Sequence, residues 1–527
     1  MIRAEGKALL PGLFDLHTHW TPSGAPATTP QIAAAYLRSG ITSVNDFHQA
    51  PESYLPRREW LSRLATPHVS FAARVSTPGG HGADWGDQST TVWINTPAAA
   101  RAAVKGLLVY KPDLIKGFAD GWRYGTAPDN TSMDEGTLRA LAEEAHANGL
   151  EVLTHTVTVD RGRAAARAGV DSLAHSMQDR KLDAAAVAEI KRLGMAVIPT
   201  LAVYEPQRPG SAPRDRTDPK VAQSFAKFDN ALYNAKVLFE AGVPIGVGTD
   251  AGMPDTPHGA STLRELELLV RAGLTPAQAL VAATSVSARI MHDDTDRGTI
   301  AAGKRADIVL IDGKPWEDIG AIHRINSVLV DGRVVVGKGA PPLPGQSAPD
   351  RLPSTKVAAL IDDFERADQR TSLGTLRVET PDGGMDRTLE ISQVVPREGD
   401  AQGDKALLIS AHMAQKDDVY AGIAIPLTRG SVQPVDVRGY KGVRFEVKGE
   451  GAYTLRVNGI DGRWTRGFSA TPGWTSIKVP FSELAAEATR KGPGPRWSGD
   501  GITQVEFGAS REPGERVWLQ IDNVTFY

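Results

Sequence analysis

The sequence predicts an α/β protein: a (β/α)8 barrel carrying a small β-module, followed by a C-terminal domain of antiparallel strands. Three observations lead there. From residue 13 to about 292, short β-like runs alternate with Ala- and Leu-rich helical stretches. The β-like runs number eight, the count a closed parallel barrel needs. From about residue 357 onward, strand-like runs follow one another with only turns between them, the texture of a β-sandwich or jelly roll.

The eight runs are "LFDLHTH", "ITSVNDF", "VSFAARVS", "DLIKGFA", "LEVLTHT", "DSLAHS", "MAVIPTL" and "VPIGVGTD". Between them, "MDEGTLRALAEEAHANG" has an amphipathic helical pattern, and after them so does "TPAQALVAATSVSARIM", which opens with Thr275 as N-cap and Pro276 at the first helical position. A doubly wound open sheet is the competing arrangement, and no Gly-rich dinucleotide turn supports it. Residues 298 to 336 hold three strand-like runs split by Gly, Asp and Pro, a small β-module expected to comprise residues 1–12 and 293–336 around a barrel of 13–292. A Pro- and Gly-rich linker is expected at 337–356, and the β-domain at 357–527.

At 527 residues the chain exceeds one hydrophobic core. A net charge of -3 gives no reason to expect nucleic acid or an anionic membrane as partner. No apolar run approaches the length of a bilayer span. With no cysteine, disulfides and thiolate chemistry are excluded, and any metal must be held by nitrogen and oxygen. The N-terminus has no signal-peptide core, so a cytoplasmic location is the default, with export open if the start is truncated. A homo-oligomer is admissible.

In "FDLHTHW" two histidines stand two positions apart at the end of a strand run, so His17 and His19 project from the same face and can hold one metal ion. In a barrel every strand's carboxyl end opens on one mouth. Lys116 lies in the fourth run, His155 ends the fifth, His175 the sixth and Asp250 the eighth, so with the histidine pair six side chains converge there. Taken singly, each has a structural alternative: a helix start, a hydrogen-bonded core histidine, or a helix cap at Asp250.

"PGLFDLHTH", "DLIKGF", "VLTHT", "DSLAHS", "GTDAG" and "GTIAAGKRADIVLID" together resemble the amidohydrolase superfamily, in its prolidase-like and imidazolonepropionase-like branch with two metals, over roughly residues 8 to 336. The resemblance implies that His17, His19 and Asp250 bind one divalent ion and His155 and His175 the other, zinc first, with manganese or iron admissible. Lys116, carboxylated by carbon dioxide to a carbamate, would bridge them. Two close cations repel and call for anionic bridges, and a lysine beside cations is driven toward the neutral form that reacts with carbon dioxide. A bridging hydroxide would be the nucleophile and Asp250 the general acid and base. In the loop "PGGHG", His81 would touch substrate, and in "PTLAVY" Tyr204 would donate to the developing oxyanion; His258 in "DTPHGAS" is a further substrate candidate. His48, His68, His146, His292 and His323 are read as structural or surface residues.

The chain departs from this pattern in two places. Thr156 follows His155 where the branch often carries tyrosine, so peptidase substrate contacts do not carry over. Only 16 residues precede His17, where members usually have several β-strands, so the module is expected to be incomplete and the chain a truncated or mis-started form. The C-terminal region, through "IDDFE", "WTSIKVPFSEL" and "LQIDNVTFY", resembles the complex I intermediate-associated protein family, a galactose-binding-like jelly roll. That resemblance makes Trp464, Trp474 and Trp497 candidate glycan contacts. The preferred reading is a metal-dependent hydrolase of a small amide, an N-acyl amino acid or dipeptide-like substrate. A cyclic amidase, a lactonase or a catalytically inactive glycan-binding protein are the alternatives.

Overall fold

The computed structural model describes residues 4–20, 29–83, 91–120, 131–345, 352–383, 386–397, 403–488 and 492–527. Residues 346–351 of the expected linker lie outside the described residues. The chain enters through β1 (Lys7–Pro11) and passes directly into β2 (Leu13–Thr18). Helix α1 (Thr29–Arg38) leads to β3 (Ile41–Asp46), α2 (Tyr54–Leu61) to β4 (His68–Ser76), and, after the short β5 (Thr91–Trp93), α3 (Pro97–Leu107) to β6 (Leu114–Phe118). Helices α4 (Glu135–Ala147), α5 (Val159–Arg167) and α6 (Ala184–Leu193) lead in turn to β7 (Glu151–His155), β8 (Ser172–Ala174) and β9 (Ala196–Ile198). The strands pair in the order β2-β3-β4-β6-β7-β8-β9, with β5 a short addition to β4. Phe14, Leu16, Ala72, Leu114, Leu153 and Ile198 form an apolar layer drawn from strands around the ring, the packed interior of a barrel.

The eighth run, "VPIGVGTD", closes that ring without forming a regular strand. Val197 pairs with Ile245 and Thr18 with Ala251, and the Leu16 amide donates to the Val247 carbonyl at 2.8 Å. Ile245 and Val247 turn outward into the helical layer. A Cβ on Gly246 would lie 2.8 Å from Ile290 and one on Gly248 2.5 Å from Ile198, so glycine is what lets this segment approach a filled interior.

Helices α7 (Leu201–Tyr204), α8 (Pro219–Glu240), α9 (Ala260–Ala272), α10 (Pro276–Val281) and α11 (Ser287–Ile290) complete the outer layer. Thr275 caps α10 reciprocally with Gln278, and Pro276 follows it. The sequence pattern for one helix here is corrected by a wider π turn at Ala282–Val286, between α10 and α11. That turn delivers Ser287, whose hydroxyl donates to the Ala282 carbonyl at 2.7 Å and accepts the Val247 amide at 3.1 Å. An amide that a regular strand would have satisfied is thereby paired.

Strands β10 (Ile308–Asp312), β11 (Ile325–Val330) and β12 (Arg333–Val336) join β1 in a four-stranded antiparallel sheet, order β1-β10-β11-β12. The C-terminal region forms two further, mainly antiparallel sheets. One includes Gly451–Gly459, Arg463–Ala470 and Ile502–Ala509; the other includes Lys405–His412, Gly442–Gly449 and Arg516–Phe526. Ile409, Phe445, Leu455, Phe507 and Ile521 belong to one apolar cluster between them. Trp464 belongs to that core, with its Nε1 donating to the Pro495 carbonyl at 2.9 Å. Trp497 leans edge-on against it, and the Arg397 guanidinium covers Trp474 at 4.1 Å. Of the three candidate glycan contacts, Trp464 is thus a core residue, while Trp474 and Trp497 are partly exposed. Among the described residues no helix is long and apolar enough to cross a membrane.

Candidate metal centre

The pairing of β2 with β3 slips by one residue between Asp15 and Thr18. Such a bulge re-aims a strand end. Below the slip Phe14 and Leu16 face the barrel interior; beyond it His17 and His19 do, and their Nε2 atoms lie 3.4 and 3.0 Å from Asp250 Oδ1. Lys116, from β6, brings Nζ to 3.3 Å from His17 Nε2. His175 hydrogen-bonds through Nδ1 to the Thr200 hydroxyl at 2.6 Å.

Six of the chain's 12 histidines form a series of ring contacts across the mouth. His81 stacks on His155 at 4.1 Å, His155 meets His175 at 4.4 Å, and His175 meets His17 at 4.8 Å. His17 then meets His19 at 5.4 Å, and His19 meets His48 at 5.7 Å. His81 and His48 are the two ends.

Three residues of the site adopt left-handed backbone: His175 at φ 77°, Thr200 at 47° and Asp250 at 61°. For a β-branched residue such as Thr200 this is unfavourable and must be imposed by its surroundings. Buried Glu265 of α9 imposes it on one side, accepting the amides of Leu201 and Ala202 at 2.8 and 2.7 Å. On the other, buried Asp15 accepts the hydroxyls of Thr249 and Thr262 at 2.7 and 2.6 Å, tying the end of β2 to the residue before Asp250. Burial pushes the Glu265 carboxyl up to about 8 and that of Asp15 up to about 7.

Lys116 is the electrostatic pivot. Its ammonium lies over Phe47 at 5.0 Å and Phe118 at 5.4 Å, and burial in this apolar setting pushes its pKa down to about 7, against the pull of Asp250. Burial, and then Lys116, push His155 down to about 3. Burial and neighbouring basic groups likewise hold His17 and His175 well below the usual imidazole range. At Asp250 burial acts upward, but the His19 hydrogen bond and surrounding positive charge outweigh it and leave the carboxyl below its ordinary value. At neutral pH His17, His155 and His175 are therefore neutral nitrogen donors beside the Asp250 carboxylate, the protonation states a divalent cation requires. Donor atoms of His17, His175 and Asp250 lie within 4.8 Å of one another, close enough for one ion. This trio draws on both of the ligand sets that the resemblance implies.

His81 and Tyr204 are brought to the same cluster, Tyr204 standing edge-on to His175 at 5.4 Å. His258 bonds through Nδ1 to the Tyr36 hydroxyl of α1 at 2.9 Å. His68, His146, His292 and His323 each face a carboxylate, at 2.9, 2.8, 3.0 and 2.7 Å. His48, read from sequence as structural or surface, is buried and borders His19. Thr200, Glu265 and Asp120 were missed; Asp120 Oδ2 lies 3.7 Å from His155 Nε2. Glu265 had a readable signal, since it is a carboxylate on the buried stripe of α9 with Thr262, Leu266 and Leu269.

The family model described as "Amidohydrolase family" matches residues 8–335, a span that takes in the barrel and the four-stranded module. The chain belongs to the amidohydrolase family. Among curated amidohydrolase relatives, an imidazolonepropionase of Shouchella clausii is 26% identical over 389 residues, 64% of this chain and 79% of the relative. An imidazolonepropionase of Deinococcus radiodurans is 26% identical over 60% of this chain and 80% of the relative. Among solved structures, a Bifidobacterium longum protein provisionally assigned as a prolidase is 30% identical with TM-score 0.55, covering 64% of this chain and 84% of that one. A prolidase complexed with N-methylphosphonate-L-proline is 26% identical with TM-score 0.52, covering 64% and 89%. These amidohydrolases place the chain among hydrolases of carbon-nitrogen bonds, and divalent metals are used in the superfamily.

Proposed function

We propose that this amidohydrolase cleaves the amide bond of an N-acyl amino acid or dipeptide-like substrate, with two divalent metals and a carbamylated Lys116. The observation that carries the reading is Lys116: a lysine buried between Phe47 and Phe118, 3.3 Å from His17, with its pKa pushed down to about 7 by burial. The neutral amine is the form that adds carbon dioxide, and this shift makes that form accessible near physiological pH. His17, His19 and Asp250 would hold one ion, His155 and His175 the other, and the Lys116 carbamate would bridge them. Zinc suits this nitrogen and carboxylate set best, with manganese or iron admissible. When bound, the ions activate water and polarise the scissile carbonyl.

The chain's own residues do the rest. Asp250, kept ionised by His19, takes a proton from the attacking water and returns it to the departing amine. Tyr204, beside His175, supplies a hydroxyl donor for the oxyanion. His81, stacked on His155, hydrogen-bonds the substrate carboxylate beside the scissile amide. The relatives named imidazolonepropionase favour a second reading, an imidazolone-type cyclic amide. A hydrolysis screen of the zinc-loaded protein over N-acyl amino acids, dipeptides, cyclic amides and lactones separates the two. A matched N-acyl amino acid and its methyl ester, assayed with wild type and His81→Ala, tests the carboxylate reader: equal turnover of the pair by wild type removes it.

A further inference from the structure

Between the barrel and the C-terminal β-domain lies a cavity of about 870 Å3, within the size range of small-molecule sites. Apolar side chains come from both sides, Val92 and Leu107 from the barrel and Leu376 and Ile460 from the β-domain, and charged groups such as Arg57 and Glu487 also line it. The two parts are pinned together at its wall. Glu52, in the segment after β3, pairs with Arg370 at 2.9 Å and Arg429 at 3.2 Å. Gly430 packs so closely that a Cβ there would lie 2.6 Å from Ser53 Cα. A cavity framed by such contacts is formed in advance, so a ligand entering it spends little on ordering the walls.

On the barrel side the lining includes His48 and Gln49. His48 is also one end of the histidine series, its ring 5.7 Å from that of His19, and His81 is the other end. A substrate lying along the series with its carboxylate at His81 directs its far end past His19 to His48. We infer that the cavity is an acyl subsite, taking the apolar acyl chain of an N-acyl amino acid, so that the β-domain helps to select the substrate. This rests on the amide-hydrolase reading and narrows it. The carboxylates that reach the cavity, Glu52 and Glu487, are each paired with two arginines, so the charged α-amino group of a dipeptide would have to compete with them or lie against Val92, Leu107 and Ile460 at a desolvation cost. A linear or aryl acyl group of several carbons gains by burial instead.

The test uses the full-length, zinc-supplemented protein with N-acetyl and N-octanoyl forms of one amino acid, and calorimetric binding of acetate and octanoate. Wild type is expected to favour the octanoyl substrate by at least about tenfold in kcat/KM and to bind octanoate correspondingly tighter, since each buried methylene adds favourable transfer energy. Ile460→Trp, and Val92→Trp from the opposite wall, should collapse both preferences, while Leu389→Trp on an exposed position of the β-domain should keep them. Two wall variants guard against one failing to fold. Equal treatment of the two chain lengths in both measurements, or preferences that survive both wall variants in folded protein, would overturn the subsite. If neither amide is hydrolysed but octanoate binding is preferred and lost in the wall variants, the subsite stands and the amide-hydrolase reading falls.

Discussion

In the C-terminal β-domain a buried carboxylate meets a guanidinium, whereas at the barrel mouth a buried lysine meets histidines. Asp362 accepts Arg377 Nε at 2.6 Å, Asp522 pairs with Arg397, and Glu506 takes Arg456 at 2.9 Å together with the Tyr420 hydroxyl at 2.8 Å. Charge is neutralised there within the chain, which fixes the packing and leaves those paired groups little to offer a ligand. At the mouth Lys116, His17, His155 and His175 all have their pKa values lowered, by burial first; at the three histidines Lys116 and neighbouring imidazoles add to it. Basic groups pushed toward neutrality by burial keep their lone pairs, and lone pairs are what cations and carbon dioxide take up. Buried charge that is paired reads as architecture; buried basic groups that crowd one another read as a site.

The sharpest way to break this contrast is at the pivot. Lys116→Ala removes the proposed bridge, and purified protein should drop from about two metal equivalents while the rate falls by at least about a thousandfold. Near-normal activity of the variant without added short carboxylates would remove the carbamate. Asp250→Asn should spare more of the metal but take away proton transfer, lowering kcat by about a hundred- to ten-thousandfold. Metal analysis beside kcat distinguishes the two variants, and equal metal loss in both would argue against separate roles.

The opposite behaviour is expected in the β-domain. Arg397→Ala leaves Asp522 buried without its guanidinium, and denaturant unfolding should show a loss of about 3 kcal/mol. Because Arg397 belongs to the paired region, kcat and KM of the folded variant should match wild type. A changed rate would mean that the loss at Arg397 is transmitted to the cavity the two parts share or to the metal centre.

How legible each feature was follows from how local its cause is. The strand ends carrying His17, His19, His155 and His175 could be read because period-two runs announce their own termini. The eighth run was recognised by its hydrophobic alternation, yet it pairs irregularly because Gly246 and Gly248 press against Ile290 and Ile198, contacts made across the barrel. The π turn at Ala282–Val286 could not be read, since its reason is the Val247 amide, some forty residues upstream, that Ser287 must satisfy. Thr200 was missed for a related reason: its left-handed backbone is imposed by Glu265 through the next two amides, and a threonine after proline gives no hint of it.

Thr200 therefore gives a finer test. Thr200→Val keeps shape and branching but deletes the hydroxyl that bonds His175 Nδ1 at 2.6 Å, the contact that orients that ring. Partners of this kind are worth about ten- to a hundredfold in metal affinity. Chelator competition should show that loss with kcat at saturating metal affected less. An unchanged affinity would mean that packing against His17 and His155 orients His175 by itself.

The smallest expected effect concerns Glu265 and pH. Burial raises its carboxyl from 4.5 to about 8, even though two amides donate to it. Below pH 4.5 folded and unfolded chains both hold the proton. Between 4.5 and about 8 the unfolded chain releases it while the folded one retains it, so stability falls as pH rises through that window and levels off above it. Asp15, raised to about 7, acts with the same sign over an overlapping range. Glu265→Gln cannot ionise; the Leu201 and Ala202 amides donate to different carboxyl oxygens, so its carbonyl oxygen keeps one of the two bonds and the other is lost. At pH 5 its melting temperature should differ from wild type by a few degrees at most. From pH 5 to 8 the wild type should lose several degrees more than the variant, because only the wild type carries this proton linkage. Parallel melting profiles over that range would show that Glu265 is ionised in the folded protein, and the anchoring of Thr200 would then be a charge-assisted bond between a buried carboxylate and two backbone amides.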